Sequence, residues 1–262
     1  MRRIISLAPS VTEVLFALGA GDDVVGVSTY CDYPPEVNRL DRVGTFLTPN
    51  VERILAKRPD VVIGVPSPGN RTGVESLQRL GVRVVVVNPQ TLAAIEQSFV
   101  TIGQAIGREQ AGRDLAARVR AHIERVRARI ADAPERKVLM VVGHVPLIAA
   151  GAGTFQDELI HLAGGVNLAA AAGGHWPHLS LEVVLAASPE VIIDTTMGNE
   201  EQRGPGTGLD FWRQFPELPA VAAHRVVGYQ AYALLRPGPR IAEAFESMAH
   251  FIHPERFPPG AG

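Results

Sequence analysis

Short runs of β-branched and aliphatic residues alternate along the chain with segments whose apolar residues recur every three or four positions. The runs predict strands and the segments predict helices, because side chains repeat every two residues in a strand and about every 3.6 in a helix. The runs at 60–65 and 82–87 consist mainly of Val and Ile, which is typical of strands covered on both faces of a parallel sheet. This alternation predicts an α/β fold.

Polar residues mark the ends of several predicted helices. Asn50 is the predicted N-cap of a helix that Pro59 ends. In the first predicted helix, Ser10 and Glu13 have the spacing of a capping box, and Gly19 supplies the stop.

The C-terminal quarter continues the alternation. We predict a helix over 209–218, a strand over 225–229 and a terminal helix over 237–255. Either Pro237 or Pro239 fits the first turn of that terminal helix. A proline is tolerated there because backbone N–H groups in the first turn have no partner within the helix.

One helical pattern is much longer than the others. It runs from about residue 92 to residue 131 and is interrupted at Gly107. The part after this glycine spans roughly 35 Å at about 1.5 Å per residue, which is long for a compact α/β unit. An apolar stripe follows that part of the pattern: Leu115, Val119, Ile123, Val126 and Ile130.

Two stretches of the sequence are similar to each other. "NVERILAKRPDVVIG" begins at Asn50, "SLEVVLAASPEVIID" begins at Ser180, and six of the fifteen aligned positions are identical, Glu52 and Glu182 among them. Such a repeat predicts two similar lobes with parallel sheets, joined by a single long rigid helix, with a ligand cleft between them. We place the lobes at 1–104 and 134–262 and the joining helix at 105–133.

Composition narrows the class of protein. The chain has 262 residues, 46% of them hydrophobic, and a net charge of −2, which favours neither nucleic acid nor an anionic membrane as a partner. Its one cysteine, Cys31, excludes an intrachain disulfide, and no apolar run is long enough to span a bilayer. The first residues show no signal-peptide core, so the chain is either cytosolic or a mature form whose leader was left off.

The sequence offers little catalytic chemistry. It has no P-loop, HExxH, G-x-S-x-G or CxxC pattern, and Cys31 is interpreted as a small buried thiol. His175 and His178 stand three apart in a Gly/Pro-rich loop, but no third ligand is fixed by spacing, so both are interpreted as exposed loop histidines. We expect no catalytic residue, no metal ligand and no cofactor.

Aromatic residues are the more informative group, because several of them follow predicted strands. In open parallel sheets, ligands lie beyond the carboxyl ends of the strands, where flat rings offer apolar area and a polar edge. The set is Tyr30, Tyr33, Phe46, Trp176, Tyr229 and Tyr232. Arg236, in the last of these loops, is suited either to an anionic ligand group or to local carbonyls.

These residues lie in a series of motifs that resembles a known family. The motifs are "RIISLAPSVTEVLFALG", "GVSTYCDYPPEV", "NVERILAKRPDVVIG", "HWPHLSLEVVLAASPEVII" and "LLRPGPRI". Their order is similar to that in the substrate-binding proteins of bacterial ABC importers for cobalamin, whose relatives carry ferric siderophores and haem. The resemblance covers about residues 3 to 252 and implies two Rossmann-like lobes and a location that is periplasmic or extracellular and membrane-tethered. We also expect a monomer, because nothing in the sequence suggests a large exposed apolar face.

The resemblance also implies a ligand site, with cobalamin as the expected ligand. Ala8 and Pro9 match the turn that touches the corrin ring, and Tyr30 and Trp176 match an aromatic residue in each lobe. A ferric siderophore or haem is the alternative ligand, and a cytosolic α/β enzyme is the alternative from another class.

Three further positions belong to this expected site. Phe46 stands where a well-known cobalamin binder has tryptophan, and Tyr232 stands where it has aspartate. Arg236 is retained.

The two repeated glutamates are expected to contact a partner. Glu52 and Glu182 match a pair that, in this family, docks onto arginines of the two permease subunits. The alternative is structural, because an acid in the first turn of a helix is favoured by the helix dipole.

Overall fold

The structure is a computed structural model, and it describes residues 2–196, 208–228 and 232–257, without the side chain of Tyr232. The chain divides into two compact units. The first, called lobe 1 below, comprises Met1–Arg120 and Arg236–Pro239, and the second, lobe 2, comprises Ala121–Leu235 and Arg240–Gly262. Each lobe is an α/β unit, as the sequence predicts. The ligand cleft between the lobes stays a prediction.

Lobe 1 is built on a four-stranded parallel sheet. Its strands, in the spatial order β2-β1-β3-β4, are β1 (Ile4–Ser6), β2 (Val24–Val27), β3 (Val61–Gly64) and β4 (Val84–Val86). Strands β1 and β3 are buried along their whole length. The expectation of burial on both faces is wrong for β4, because this strand lies at the sheet edge and Val86 is 44% exposed.

Four helices belong wholly to lobe 1: α1 (Pro9–Ala17), α2 (Val51–Ala56), α3 (Arg71–Arg79) and α4 (Leu92–Ile106). The predicted N-cap of α2 is confirmed, because Asn50 Oδ1 accepts a hydrogen bond of 2.9 Å from the backbone N–H of Arg53. The predicted capping box of α1 is wrong. That helix begins one residue before Ser10, at Pro9, and its N-cap Ala8 makes no side-chain hydrogen bond.

The long helical pattern forms two helices, as predicted. Gly107 adopts a left-handed conformation with φ of 76° and ends α4, and α5 then runs over Glu109–Ile130. The five residues of the apolar stripe on α5 are all buried. The boundary between the two lobes falls inside this helix, between Arg120 and Ala121.

Lobe 2 contains a five-stranded sheet. Its strands are β5 (Arg136–His144), β6 (Leu147–Ala149), β7 (Gly165–Asn167), β8 (Val191–Asp194) and β9 (Val226–Gly228). Strand β5 pairs in parallel with β7 and β8, and β8 pairs in parallel with β9. The sheet is not wholly parallel, because β6 folds back beside the end of β5 as an antiparallel strand that the sequence pattern does not reveal.

The helices that the structure describes in lobe 2 after α5 pack around this sheet. They are α6 (Phe155–Leu162), α7 (Leu181–Ala187), α8 (Leu209–Trp212), α9 (Pro219–Ala222) and α10 (Ile241–Ile252). Helix α8 covers only the first four residues of the predicted segment 209–218. The predicted proline in the first turn of the terminal helix is also wrong, because α10 begins after its N-cap Arg240.

The sequence repeat is a structural repeat. Helix α2 leads into β3 in lobe 1, and α7 leads into β8 in lobe 2. Arg58 and Ser188, one residue before the aligned prolines, both adopt positive φ, at 48° and 52°. The two copies therefore share a strained backbone step between helix and strand as well as a pattern of residue types.

No helix among the described residues is both long enough and apolar enough to cross a membrane.

Candidate functional site

The turn after β1 is fixed by hydrogen bonds to Ala8. The Ala8 carbonyl accepts from the backbone N–H of Thr12 at 3.0 Å and from Ser6 Oγ at 3.0 Å. Ala8 is buried, and Pro9 is half-buried as the first residue of α1. Both predicted site residues thus lie just past the carboxyl end of β1, and ligands of parallel sheets bind beyond the carboxyl ends of the strands.

The loop after β2 presents two tyrosine rings to solvent. Tyr30 is 55% exposed and Tyr33 is 43% exposed. The loop backbone is held at Thr29, whose N–H donates to the Gly44 carbonyl at 2.8 Å. Cys31 of the same loop is buried, and burial raises the pKa of its thiol. A raised pKa keeps the sulfur protonated, so the described loop holds no activated thiolate.

Phe46 lies at the tip of a tight turn. Thr45 N–H donates to the Thr48 carbonyl at 3.2 Å, and the two hydroxyls are 2.8 Å apart. The Phe46 carbonyl accepts a hydrogen bond of 2.9 Å from Nδ2 of Asn70, a residue that is itself buried. Phe46 is half-buried, and its neighbour Leu47 is 44% exposed. The backbone that carries this ring is therefore fixed from both sides.

Trp176 belongs to a loop that is paired with the β6 region. The carbonyls on either side of it accept backbone hydrogen bonds, that of His175 from Gly151 at 2.9 Å and that of Pro177 from Ala149 at 3.2 Å. Gly151 is required there, since a Cβ at this position would lie 2.3 Å from the Gly174 carbonyl oxygen. The indole is 47% exposed, so a fixed backbone presents a ring available for ligand contact.

Phe46 and Trp176 occupy equivalent steps of the structural repeat. Each stands six residues before a repeated glutamate, Phe46 before Glu52 and Trp176 before Glu182. In each copy an aromatic loop leads through a capping side chain into the first turn of a helix. The aromatic rings and the glutamates thus belong to one unit that is repeated in the two lobes.

Both repeated glutamates are exposed in the first turn of their helices. Ser180 caps the helix of Glu182, accepting a hydrogen bond of 3.3 Å from the N–H of Val183. A hydrogen bond with Ser180, and then one with the backbone, lower the pKa of the Glu182 carboxyl. Glu182 is therefore a fixed negative charge on the surface of lobe 2.

Arg236 is already paired within lobe 1. Its Nη2 lies 2.9 Å from Asp32 Oδ2, its Nη1 bonds Asp32 Oδ1, and Nη1 lies 3.6 Å from Glu13 Oε1. The sequence did not predict either acid as a partner of Arg236. The signal for Glu13 is an acid inside the apolar run of α1, and Asp32 stands in the "YCDYPP" motif itself.

The last aromatic loop is only partly described. Tyr232 begins a short 3₁₀ helix, but its side chain lies outside the described residues, as does the whole of Tyr229. The adjacent Ala233 and Leu234 are buried.

The two loop histidines, His175 and His178, have too few neighbouring ligand side chains for a metal site among the described residues. His175 and His178 are exposed, and among the described residues no group of three or more His, Cys, Asp and Glu side chains could hold a metal ion.

The sequence did not predict the buried environment of another histidine, His144. His144 Nε2 lies 2.7 Å from Asp194 Oδ2, and Trp212 Nε1 donates to the same oxygen at 2.8 Å. Thr196 donates to Asp194 Oδ1 from its hydroxyl at 2.6 Å and from its N–H at 3.0 Å. Asp194 is fully buried, so this network joins the ends of β5 and β8 to α8.

Comparison with protein families finds a match over most of the chain. Residues 4–233 match the model of the periplasmic binding protein family. The chain is also 31% identical, over 250 residues, to the vitamin B12-binding protein of Vibrio cholerae, a match that covers 95% of this chain and 88% of that protein.

Two solved structures are similar over nearly their whole length. The periplasmic haem-binding protein RhuT from Roseiflexus sp. RS-1, in its apo form, has a TM-score of 0.86 and 30% identity, with 97% of this chain and 99% of that chain covered. The periplasmic vitamin B12 binding protein BtuF of Vibrio cholerae has a TM-score of 0.83 and 30% identity, with 98% of each chain covered.

Proposed function

This chain belongs to the periplasmic binding protein family, and we propose that it is the component of an ABC importer that binds cobalamin or a related corrinoid and delivers it to the permease. The observation that carries the proposal is the repeated unit in which an exposed or half-exposed ring precedes a first-turn glutamate by six residues in each lobe. Similarity to vitamin B12-binding proteins over 95% of the chain supports the ligand class.

The ligand contacts follow from the chemistry of the side chains. Tyr30, Phe46 and Trp176 offer flat apolar surface with partial exposure, which suits the faces and edges of a tetrapyrrole-like ring. Ala8 and Pro9 add a small apolar contact at the end of β1. Tyr232 completes the proposed set.

The permease contacts are proposed for Glu52 and Glu182. Each lobe presents one carboxylate at the same step of an equivalent helix, and two identical permease subunits would offer two identical basic partners. In this proposal the protein is a monomer in the periplasm, is tethered or free there, and carries out no chemistry of its own.

Haem is the second candidate ligand. The similarity to RhuT, at a TM-score of 0.86, favours it, because that structure is of a haem-binding protein. The protein that binds haem would use the same aromatic loops but would also need cationic partners for the two haem propionates.

Uptake of labelled cobinamide tests the proposed function. Membrane vesicles that carry the proposed ABC permease are mixed with the purified protein and ATP. We expect cobinamide uptake that requires the protein and ATP together. Equal uptake with and without the protein, at saturating cobinamide, would remove the proposal.

A further inference from the structure

We infer that ion pairs with Asp32 and Glu13 make Arg236 unavailable to an anionic ligand group. This part of lobe 1 then selects a metal chelate with amide side chains over one with carboxylates. The inference rests on the proposed function. The arrangement is a forked ion pair. Both terminal nitrogens of Arg236 bond the carboxylate of Asp32, and the guanidinium also lies 3.6 Å from a Glu13 oxygen.

The burial of these side chains shows that the pairing belongs to the protein. The Glu13 side chain is only 2% exposed and that of Arg236 is 13% exposed. A carboxylate so far from water is costly without a cation beside it. Arg236 is therefore ion-paired with Glu13 as well as with Asp32, so its charge is used within the protein.

The described groups around the Arg236 guanidinium are acceptors. The guanidinium faces the carboxylates of Asp32 and Glu13, and its Nη2 also lies 3.4 Å from the Tyr30 carbonyl oxygen. Asp32 is half-exposed, so the charge that meets a ligand first is a carboxylate. An anionic ligand group would be repelled there, whereas an amide N–H would find acceptors.

The cluster adjoins the residues proposed to contact ligand. Arg236 reaches the backbone of Tyr30, and a Cβ built on Gly238 would lie 3.6 Å from Ser10 Cα, one residue after Pro9. The four-residue segment Arg236–Pro239 is thus part of lobe 1 and lies against the start of α1 and the loop after β2. A ligand group that touches Tyr30 and Pro9 meets this charge.

Ligand chemistry separates the two candidates at this cluster. The periphery of cobinamide carries amides, whereas haem carries two propionates. Asp32 is then a specificity residue that acts against carboxylates. Its replacement by asparagine keeps its size, removes one negative charge and frees the fork of Arg236 for a ligand carboxylate.

The test compares the affinities of dicyanocobinamide and haemin for the wild type, Asp32→Asn and the control Glu36→Gln. Glu36 is an exposed acid four residues along the same loop. We expect Asp32→Asn to tighten haemin binding about tenfold, the size of one charge-assisted hydrogen bond, and to change cobinamide affinity by less than about threefold. Glu36→Gln should change neither affinity, and Arg236→Gln added to Asp32→Asn should cancel the gain.

Two results would overturn the inference. One is a ratio of haemin affinity to cobinamide affinity that is the same in Asp32→Asn as in the wild type. The other is a loss of haemin affinity when Arg236→Gln is made in the wild type. The ¹⁵N–¹H signals of the Arg236 guanidinium provide a readout without ligand, and we expect Asp32→Asn to shift them. Shifted signals with no corrinoid binding would count against the proposed function alone, whereas corrinoid binding with an unchanged ratio would count against the inference alone.

Discussion

Glu52 and Glu182 stand at the same step of two equivalent helices, each two residues after the side chain that caps its helix. Neither capping nor burial requires an acid at that step, because Asn50 and Ser180 cap the helices and both glutamates are exposed. A first-turn acid gains only about 0.3–1 kcal/mol from the helix dipole. A shared partner explains the repetition better than helix stability does.

Reversing both charges tests this interpretation. Glu52→Lys with Glu182→Lys should abolish uptake, because each lysine would repel a basic group on the permease. Ligand affinity should stay within about twofold, since the glutamates are proposed to contact the permease and not the ligand. Transport by reconstituted permease and ligand binding by calorimetry measure the two effects.

The matched control for this change is Glu75→Lys with Glu217→Lys, which reverses one exposed acid in each lobe away from the repeated step. It should leave uptake near the wild-type level. Full uptake by the Glu52/Glu182 variant would contradict the docking role.

The aromatic rings should contribute to ligand affinity and not to folding. Phe46→Ala and Trp176→Ala each remove a ring from a backbone that other hydrogen bonds hold. We expect each to weaken corrinoid binding by about 1–2 kcal/mol, or about five- to thirtyfold. Trp176→Phe should retain most of the affinity, because stacking area is preserved.

The control here is Leu80→Ala, an apolar residue that is 60% exposed just after α3. It should change neither ligand affinity nor melting temperature. Unchanged affinity in both Phe46→Ala and Trp176→Ala would exclude these loops as the ligand site.

The buried network around Asp194 should stabilise lobe 2. Burial acts to raise the pKa of Asp194, but hydrogen bonds from His144, Thr196 and Trp212 more than offset it and hold that pKa below its ordinary value. Asp194→Asn should cost about 3–5 kcal/mol in the free energy of unfolding, because donors aimed at the lost charge stay buried. Urea denaturation measures the loss, and Thr196→Ser, which keeps the hydroxyl donor, should cost less than about 1 kcal/mol.

The sign of the pH effect follows from the lowered pKa. The contribution of Asp194 is present in full above the unfolded-state pKa of about 4, and it is lost as the pH falls through the folded-state value. The wild type should therefore lose more stability on acidification below about pH 4 than Asp194→Asn does. Equal losses in the two proteins would show that Asp194 is not charged in the folded state.

His253 should make the fold sensitive to mild acid. Burial lowers the pKa of this imidazole, whose Nε2 lies 2.9 Å from the Ala163 carbonyl oxygen. A lowered histidine pKa gives stability that is complete above the unfolded-state value of about 6.5 and is lost as the pH falls towards the folded-state value. Urea unfolding at several pH values from about 7.5 to 5.5 should show this decline.

His253→Gln keeps a hydrogen-bond donor but cannot titrate, so its stability should vary less over the same range of pH. His178→Gln, which changes an exposed histidine, should keep the wild-type dependence. An unchanged slope in His253→Gln would assign the pH dependence to other groups.

Local signals in the sequence predicted much of the fold. The Asn50 cap, the left-handed Gly107 and the buried stripe of α5 each depend on residues within one or two helical turns. The repeat was also readable, because equivalent elements with equivalent burial favour similar residues.

The errors arose where a local signal competed with another local signal or with distant residues. Pro9 starts α1 before Ser10, since proline fixes the first-turn backbone without needing an N–H partner. Strand β6 depends on pairing with β5 across a turn that has no alternating pattern of its own. The partners of Arg236 lie more than two hundred residues earlier, where no spacing rule reaches.

Calorimetric titration with a ligand panel tests the central claim most directly. The panel holds cobalamin, cobinamide, haemin and a ferric siderophore, each added to the purified protein at equal concentration. The proposed function predicts one corrinoid site per chain with a Kd below about 1 μM, or about −8 kcal/mol, and weaker binding of haemin and the siderophore. Absent corrinoid binding, with tight binding of haemin or the siderophore, would contradict it.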